Sequence, residues 1–177
     1  GKLAAAYVRG IQRGGALACV KHYAVNSQEF RRMTLNAVVD ERALRELYLT
    51  GFEMAVKEGK PAALMTSYNQ VNGLQSNENP QLMLDILRDE WGYDGLVVTD
   101  WGGSDDHIRG IQCRTTLEMP NPGLYAAREV LRAVERGELS EAEIDVCLRD
   151  YFRTLRRAAV QAKKAVPVDP LRQHALA

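Results

Sequence analysis

Two rhythms of apolar residues alternate along the chain. Short runs rich in apolar residues at 16–20, 62–68 and 95–100 predict strands, and the continuous apolar stretch within 95–100 reads as one buried on both faces, as in a parallel sheet. Between these runs apolar positions recur every three or four residues, the spacing of a helix with one buried face. Residues 3–12 read as a helix closed by Gly14-Gly15. Asp40 is placed to cap a helix from 41 to about 58, on which Leu44, Leu47, Tyr48, Phe52 and Ala55 share a face. Asn79-Pro80 opens a helix reaching about Trp91, stopped by Gly92. Residues 106–113 predict a short helix, and 115–119 a weaker strand broken by Pro120. Asn121-Pro122 opens a helix to Arg136, ended by Gly137. Ser140 and Glu143 form a capping box for a last helix, with Ile144, Cys147, Leu148, Tyr151, Phe152 and Leu155 as its buried stripe. Residues 26–36 read as a polar loop and 166–170 as a linker.

The sum is one helix followed by four βα units. That pattern predicts an α/β fold, a partial (β/α)8 TIM-like barrel of about four units over residues 1–160, followed by a linker over 161–177. A glycine-rich phosphate loop after the first strand is absent, so a doubly wound dinucleotide fold loses its usual support. A half barrel has two open edges and an unfilled interior. The chain is therefore expected to need the rest of its barrel, a partner or self-association. It opens inside a helix with Gly1-Lys2-Leu3 and without an initiator Met, so it reads as a piece of a longer protein.

Composition narrows the function. The 177 residues carry 23 Lys+Arg and 23 Asp+Glu, so no basic excess points to nucleic acid. The local basic stretch 149–164 reads as a solvated helix face. No run of about 18 apolar residues predicts a membrane span, and the start lacks the order of a signal peptide. Cys19, Cys113 and Cys147 form no CxxC pair, which argues against a zinc ribbon or a disulfide framework. Cys19 and Cys147 read as small core residues, and three unpaired cysteines lean weakly to a reducing, cytoplasmic compartment. No metal site and no cofactor are predicted. In 104–107 the residues Ser104, Asp105, Asp106 and His107 lack a second His at ligand spacing, and Ser104 with Asp105 or Asp106 reads as the cap of the next helix.

The candidate chemistry lies at the C-terminal ends of the strands, which converge on one mouth in a barrel. The first strand offers Lys21 and His22, the second Met65 and Tyr68, the third Asp100 and Trp101, and the fourth Glu118. Asp100 can act as a carboxylate nucleophile beside Trp101, a platform for the apolar face of a sugar ring. Tyr68 is placed to donate a hydrogen bond that keeps Asp100 ionised. Lys21 and His22 can grip hydroxyl groups, or Lys21, if desolvated, can form a Schiff base as in a lyase or aldolase. A third reading is a non-catalytic barrel half that serves assembly.

Several motifs together resemble glycoside hydrolase family 3. They are Lys21-His22-Tyr23-Ala24-Val25-Asn26-Ser27-Gln28-Glu29, then Val39-Asp40-Glu41-Arg42-Ala43-Leu44-Arg45-Glu46, then Met65-Thr66-Ser67-Tyr68-Asn69, with Leu87-Arg88-Asp89-Glu90-Trp91-Gly92 and Val97-Val98-Thr99-Asp100-Trp101-Gly102 after them. The resemblance implies the later part of that family's N-terminal TIM-like barrel, ending at a linker toward a second domain. It implies β-glucosidase-like, retaining hydrolysis of a β-glycoside or oligosaccharide, with Asp100 as nucleophile. It also implies that Lys21, His22, Arg32, Met65, Tyr68 and Trp101 bind substrate; Arg32 by itself reads only as a loop residue. The acid/base carboxyl is expected outside this chain, in the C-terminal domain, and Glu118 in Leu117-Glu118-Met119-Pro120 is read as structural. One departure is Arg114, which stands where the family usually has Gly and predicts a strained turn if that position has positive φ.

Overall fold

The computed structural model describes residues 1–163 together with Leu171, His174 and Ala175. The expected linker at 166–170 lies outside the described residues. Helix α1 (Lys2–Arg13) precedes a parallel sheet of β1 (Cys19–Tyr23), β3 (Ala63–Thr66) and β6 (Leu96–Val98), in the order β1-β3-β6. The sheet is a strip of barrel wall whose successive strands are joined through helices. Helix α2 covers residues 41–59, an unbroken helical run in which wide π-type turns flank Thr50–Met54. Helix α3 (Gln81–Glu90) is also wound in π-type turns. Three α-helices follow, α4 (His107–Gln112), α5 (Gly123–Glu135) and α6 (Glu141–Ala162).

The caps form as their residues dictate. Asp40 accepts from the Ala43 N–H, Asp106 from Arg109 N–H and Asn79 from Leu82 N–H. Ser140 and Glu143 make the reciprocal capping box. Each such cap contributes about 1 kcal/mol by occupying an amide that has no partner inside the helix. The third strand is the most buried: Leu96, Val97 and Val98 all lie inside, each contributing about 2 kcal/mol of apolar burial.

Four expectations need correction. The first strand lies three residues later than its apolar run, at Cys19–Tyr23 in place of 16–20. Pairing sets this register, with Cys19 beside Ala63, Val20 beside Leu64 and Tyr23 beside Thr66. Lys21 and His22 are therefore strand residues. Cys19 is exposed rather than core, because β1 is the edge strand of the sheet, whereas Cys147 is buried as expected. The 115–119 strand reduces to one parallel bridge, Val98 with Leu117. Finally, Leu47 and Tyr48 on α2 and Leu148, Phe152 and Leu155 on α6 are exposed, because the apolar stripes are wider than the contacts these helices make with the sheet.

A second, smaller sheet is absent from the strand pattern. Strand β2 (Asn36–Ala37) comes out of the 26–36 loop and runs parallel to β4 (Gln70–Val71), which forms a hairpin with β5 (Leu74–Gln75). A 3-10 turn, Ser76–Glu78, follows. Ser76, Asn77, Glu78 and Asn79 are all buried, although every one is polar. Burial of such a run requires hydrogen-bonded partners. Ser76 meets Ser67 Oγ and the Asn69 carbonyl, and Asn79 donates to the Val71 carbonyl. Ser67 and Asn69 in turn both donate to the Ala24 carbonyl just past β1. This polar layer sits on the C-terminal ends of β1 and β3.

The opposite end of the sheet is held by charge. Arg88 donates to the carbonyls of Tyr93, Gly95 and Arg114, bracketing the start of β6. Asp150 on α6 accepts two hydrogen bonds from Arg114, at 2.7 and 2.9 Å, and lies 3.6 Å from Arg88. Arg114 has φ of 60°, so the strained turn expected from a side chain at a usual Gly position is present. Its guanidinium reaches a carboxylate only 1% exposed, an attraction that offsets the backbone cost.

Candidate active site

Asp100 follows β6 by two residues, where the chain leaves the sheet. Thr99 is fully buried and fixes this exit: its N–H donates to the Leu117 carbonyl, and its hydroxyl donates to the Met119 carbonyl while accepting from the Met119 N–H. Gly102 N–H donates to the same Met119 carbonyl. The loop after the strand is thus tied to the fourth unit on both sides of Asp100.

The Asp100 side chain is 13% exposed, sheltered but reachable. One oxygen accepts from Trp101 N–H at 2.9 Å; the other lies 3.3 Å from His22 Nε2. Burial first, then the nearby Asp100 charge and a hydrogen-bonding interaction with it, raise the Tyr68 phenol above its ordinary value. Tyr68 therefore stays protonated at neutral pH and remains a donor. Arg32 stacks on its ring at 4.5 Å and pairs with Glu29 at 2.7 Å. His22 is held below the usual imidazole value, chiefly by burial; the negative Asp100 opposes this and Lys21 and Arg32 add to it. A mostly neutral His22 can donate or accept toward a hydroxyl.

The structure thus brings together Asp100, His22, Tyr68 and Arg32. Trp101 stands beside them, 50% exposed, its ring free to face a ligand. Lys21 is exposed and acts on His22 through its charge. Met65 is half-buried on β3 opposite Val98, one strand over and two residues short of Asp100. Glu118 pairs with His107 Nδ1 at 2.8 Å, in keeping with its structural reading. Lys21 lacks the desolvation that a Schiff-base lysine requires, so the lyase reading is not favoured. Among the described residues no group of three or more His, Cys, Asp or Glu is arranged to hold a metal ion. None of their helices is long and apolar enough to cross a membrane.

Sequence reasoning missed Glu29, the counter-ion of Arg32, and Glu78, a buried carboxylate under the next loop. A charged side chain three residues before Arg32 was the available signal for Glu29. For Glu78 the signal was an acid within the polar run before the Asn79-Pro80 cap.

A sequence profile of the glycosyl hydrolase family 3 N-terminal domain matches residues 1–150. The chain belongs to glycoside hydrolase family 3. It is 39% identical over 176 residues to thermostable beta-glucosidase B of Acetivibrio thermocellus, covering 99% of this chain and 23% of that protein. It is 44% identical over 168 residues to beta-glucosidase B of Emericella nidulans, covering 94% of this chain and 20% of that one. Among solved structures it matches beta-glucosidase 3B from Thermotoga neapolitana in complex with glucose, with a TM-score of 0.89 and 36% identity over 97% of this chain and 25% of that one. The chain thus spans about a fifth to a quarter of the length of these family 3 relatives. The βα strip described above is part of the family's N-terminal TIM-like barrel.

Proposed function

We propose that this chain supplies the nucleophile half of a β-glucosidase-like enzyme acting on terminal β-glycosidic bonds with retention of configuration. The observation that carries the reading is Asp100: a sheltered, reachable carboxylate at the C-terminal end of a buried parallel strand, held by Trp101 N–H, His22 and Tyr68. An Asp100 oxygen attacks the anomeric carbon as the bond to the leaving oxygen breaks. A second carboxyl, about 5 Å from the first in retaining enzymes, protonates that oxygen. The same group then deprotonates the water that cleaves the glycosyl-enzyme and frees the Asp100 carboxylate. Tyr68 and His22 hold Asp100 in its attacking orientation. Lys21, His22 and Arg32 bind sugar hydroxyls, Trp101 supports the apolar face of the ring and Met65 lines the wall.

The second carboxyl comes from outside these residues, from the C-terminal domain that the family resemblance implies. The rest of the barrel covers the open sheet edges and the exposed stripes on α2 and α6. The 177-residue chain by itself has negligible turnover of an aryl β-glucoside; robust hydrolysis by the purified chain would refute this. The deciding experiment treats the complete enzyme with a 2-fluoro glycoside inactivator and maps the adduct by peptide mass spectrometry. The label is expected on Asp100, and a label on any other residue overturns the assignment.

A further inference from the structure

The loop that leaves Asp100 has two moorings. The near one is the Met119 segment, which holds Thr99 and Gly102. The far one is Glu78. Its side chain comes from the 3-10 turn after the hairpin, in a residue only 5% exposed. One oxygen, Oε1, accepts from Asp105 N–H at 2.6 Å, Asp106 N–H at 2.8 Å and the Ser104 hydroxyl at 3.2 Å. Asn77 beside it donates to the same Ser104 hydroxyl at 3.0 Å, and the Asn77 carbonyl accepts from Thr115. Among the described residues no cation pairs with Glu78; its charge is met by the loop's own amides. Only Trp101, Gly102 and Gly103 lie between Asp100 and the segment it holds.

We propose that Glu78 is a positioning residue for the nucleophile loop, fixing the 104–106 segment so that Trp101 and Asp100 are presented to the sugar in one geometry. The proposal rests on the assignment of Asp100 as nucleophile. A carboxylate suits the task because charge-assisted hydrogen bonds are roughly twice as strong as neutral ones, and one oxygen serves three donors that are consecutive in the loop. Losing it leaves two loop amides without this acceptor and frees the far end of a short, glycine-rich segment. Misplacing a reacting group by about 1 Å can cost about 10²-fold in rate.

The test uses the complete enzyme with E78A, E78Q and, as a remote control, S140A, which removes the cap of α6. For E78A, kcat/KM on an aryl β-glucoside is expected to fall about 30- to 100-fold, with most of the loss in the glycosylation rate measured by single-turnover burst. E78Q keeps an acceptor oxygen and is expected to recover to within about 5- to 10-fold of the parent. S140A is expected to lower Tm while leaving kcat/KM unchanged. An E78A enzyme that folds and keeps kcat/KM within threefold overturns the proposal, and so does E78Q equal to E78A. If E78A does not fold, E78Q decides: an unchanged glycosylation rate overturns the proposal, and a severalfold slower one supports it. The labelling of Asp100 by the 2-fluoro glycoside is read in the same preparations. A label elsewhere removes the assignment beneath the proposal, whereas an Asp100 label with unchanged E78Q kinetics removes the proposal alone.

Discussion

The two ends of β6 are fastened by opposite chemistry. At the start of the strand a buried carboxylate, Asp150, is met by guanidinium groups: Arg114 in a two-toothed contact, Arg88 close by and Arg153 at 3.3 Å. At the far end the buried carboxylate of Glu78 is met by backbone amides and a hydroxyl. Charge pairing holds two helices and a turn together. Amide coordination holds a loop without placing a further cation beside the Asp100 carboxylate. Stability and presentation are thus separated along one strand, in line with the general division of labour between the two faces of a barrel.

Removing the acid at the ionic end breaks this comparison most sharply. In the complete enzyme, Asp150→Ala leaves the buried Arg88 and the partly exposed Arg114 guanidinium groups without their carboxylate and is expected to cost about 3–5 kcal/mol of stability. Urea denaturation reads the loss, while kcat/KM of the molecules that remain folded should not change. A large fall in kcat/KM at full folding would show that the two ends are not separate.

Arg114→Gly sharpens the same point at smaller amplitude. It relieves a left-handed backbone, worth about 1 kcal/mol, but removes the two-toothed partner of Asp150 and leaves that buried acid to Arg88 and Arg153. The net expectation is a loss of about 2 kcal/mol in the same denaturation experiment. A gain in stability would mean that the ion pair does not compensate the turn.

What could be read from the sequence divides in a similar way. Asp100, Trp101 and the strand before them were legible because a continuous apolar run with an acid at its end is a local signal. The caps at Asp40, Asp106 and Ser140 were legible for the same reason, since the capping residue and the amide it serves are three residues apart. The later placement of β1 was not, because the partner strand β3 sets its register. Glu78 was not, because its ligands lie 26 to 28 residues away and nothing local distinguishes a buried acid from a solvated one. The stripe of Leu148, Phe152 and Leu155 gave the orientation of α6 correctly in Cys147 but overstated how much of that face this chain covers.

The smallest expected effect concerns His22, at the amide-held end. Its pKa lies below the ordinary 6.5, so the fold favours the neutral ring. The associated stability is fully present above pH 6.5 and is lost as pH falls through 6.5 toward the lower folded value. An NMR titration of the imidazole carbons should give a midpoint below 6.5, and Asp100→Asn should lower it further by removing the one nearby charge that favours protonation most. A midpoint at or above 6.5 in the parent would show that the Asp100 charge, and not burial, governs this side chain.

Gly103 sets a limit on how the site can diversify. A methyl group added there would stand 3.2 Å from the Asp100 carbonyl, 3.5 Å from the Tyr68 ring and 3.7 Å from the Ser67 carbonyl. A Cβ at this position crowds the Asp100 carbonyl, which must give by a few tenths of an ångström, while the Tyr68 and Ser67 distances are ordinary van der Waals contacts. Variation in this loop enters more easily through neighbours with exposed side chains, Trp101 and Asp105, because Asp106 caps α4. A mutational library built on this loop should randomise those two and leave Gly103 and the Asp106 cap untouched.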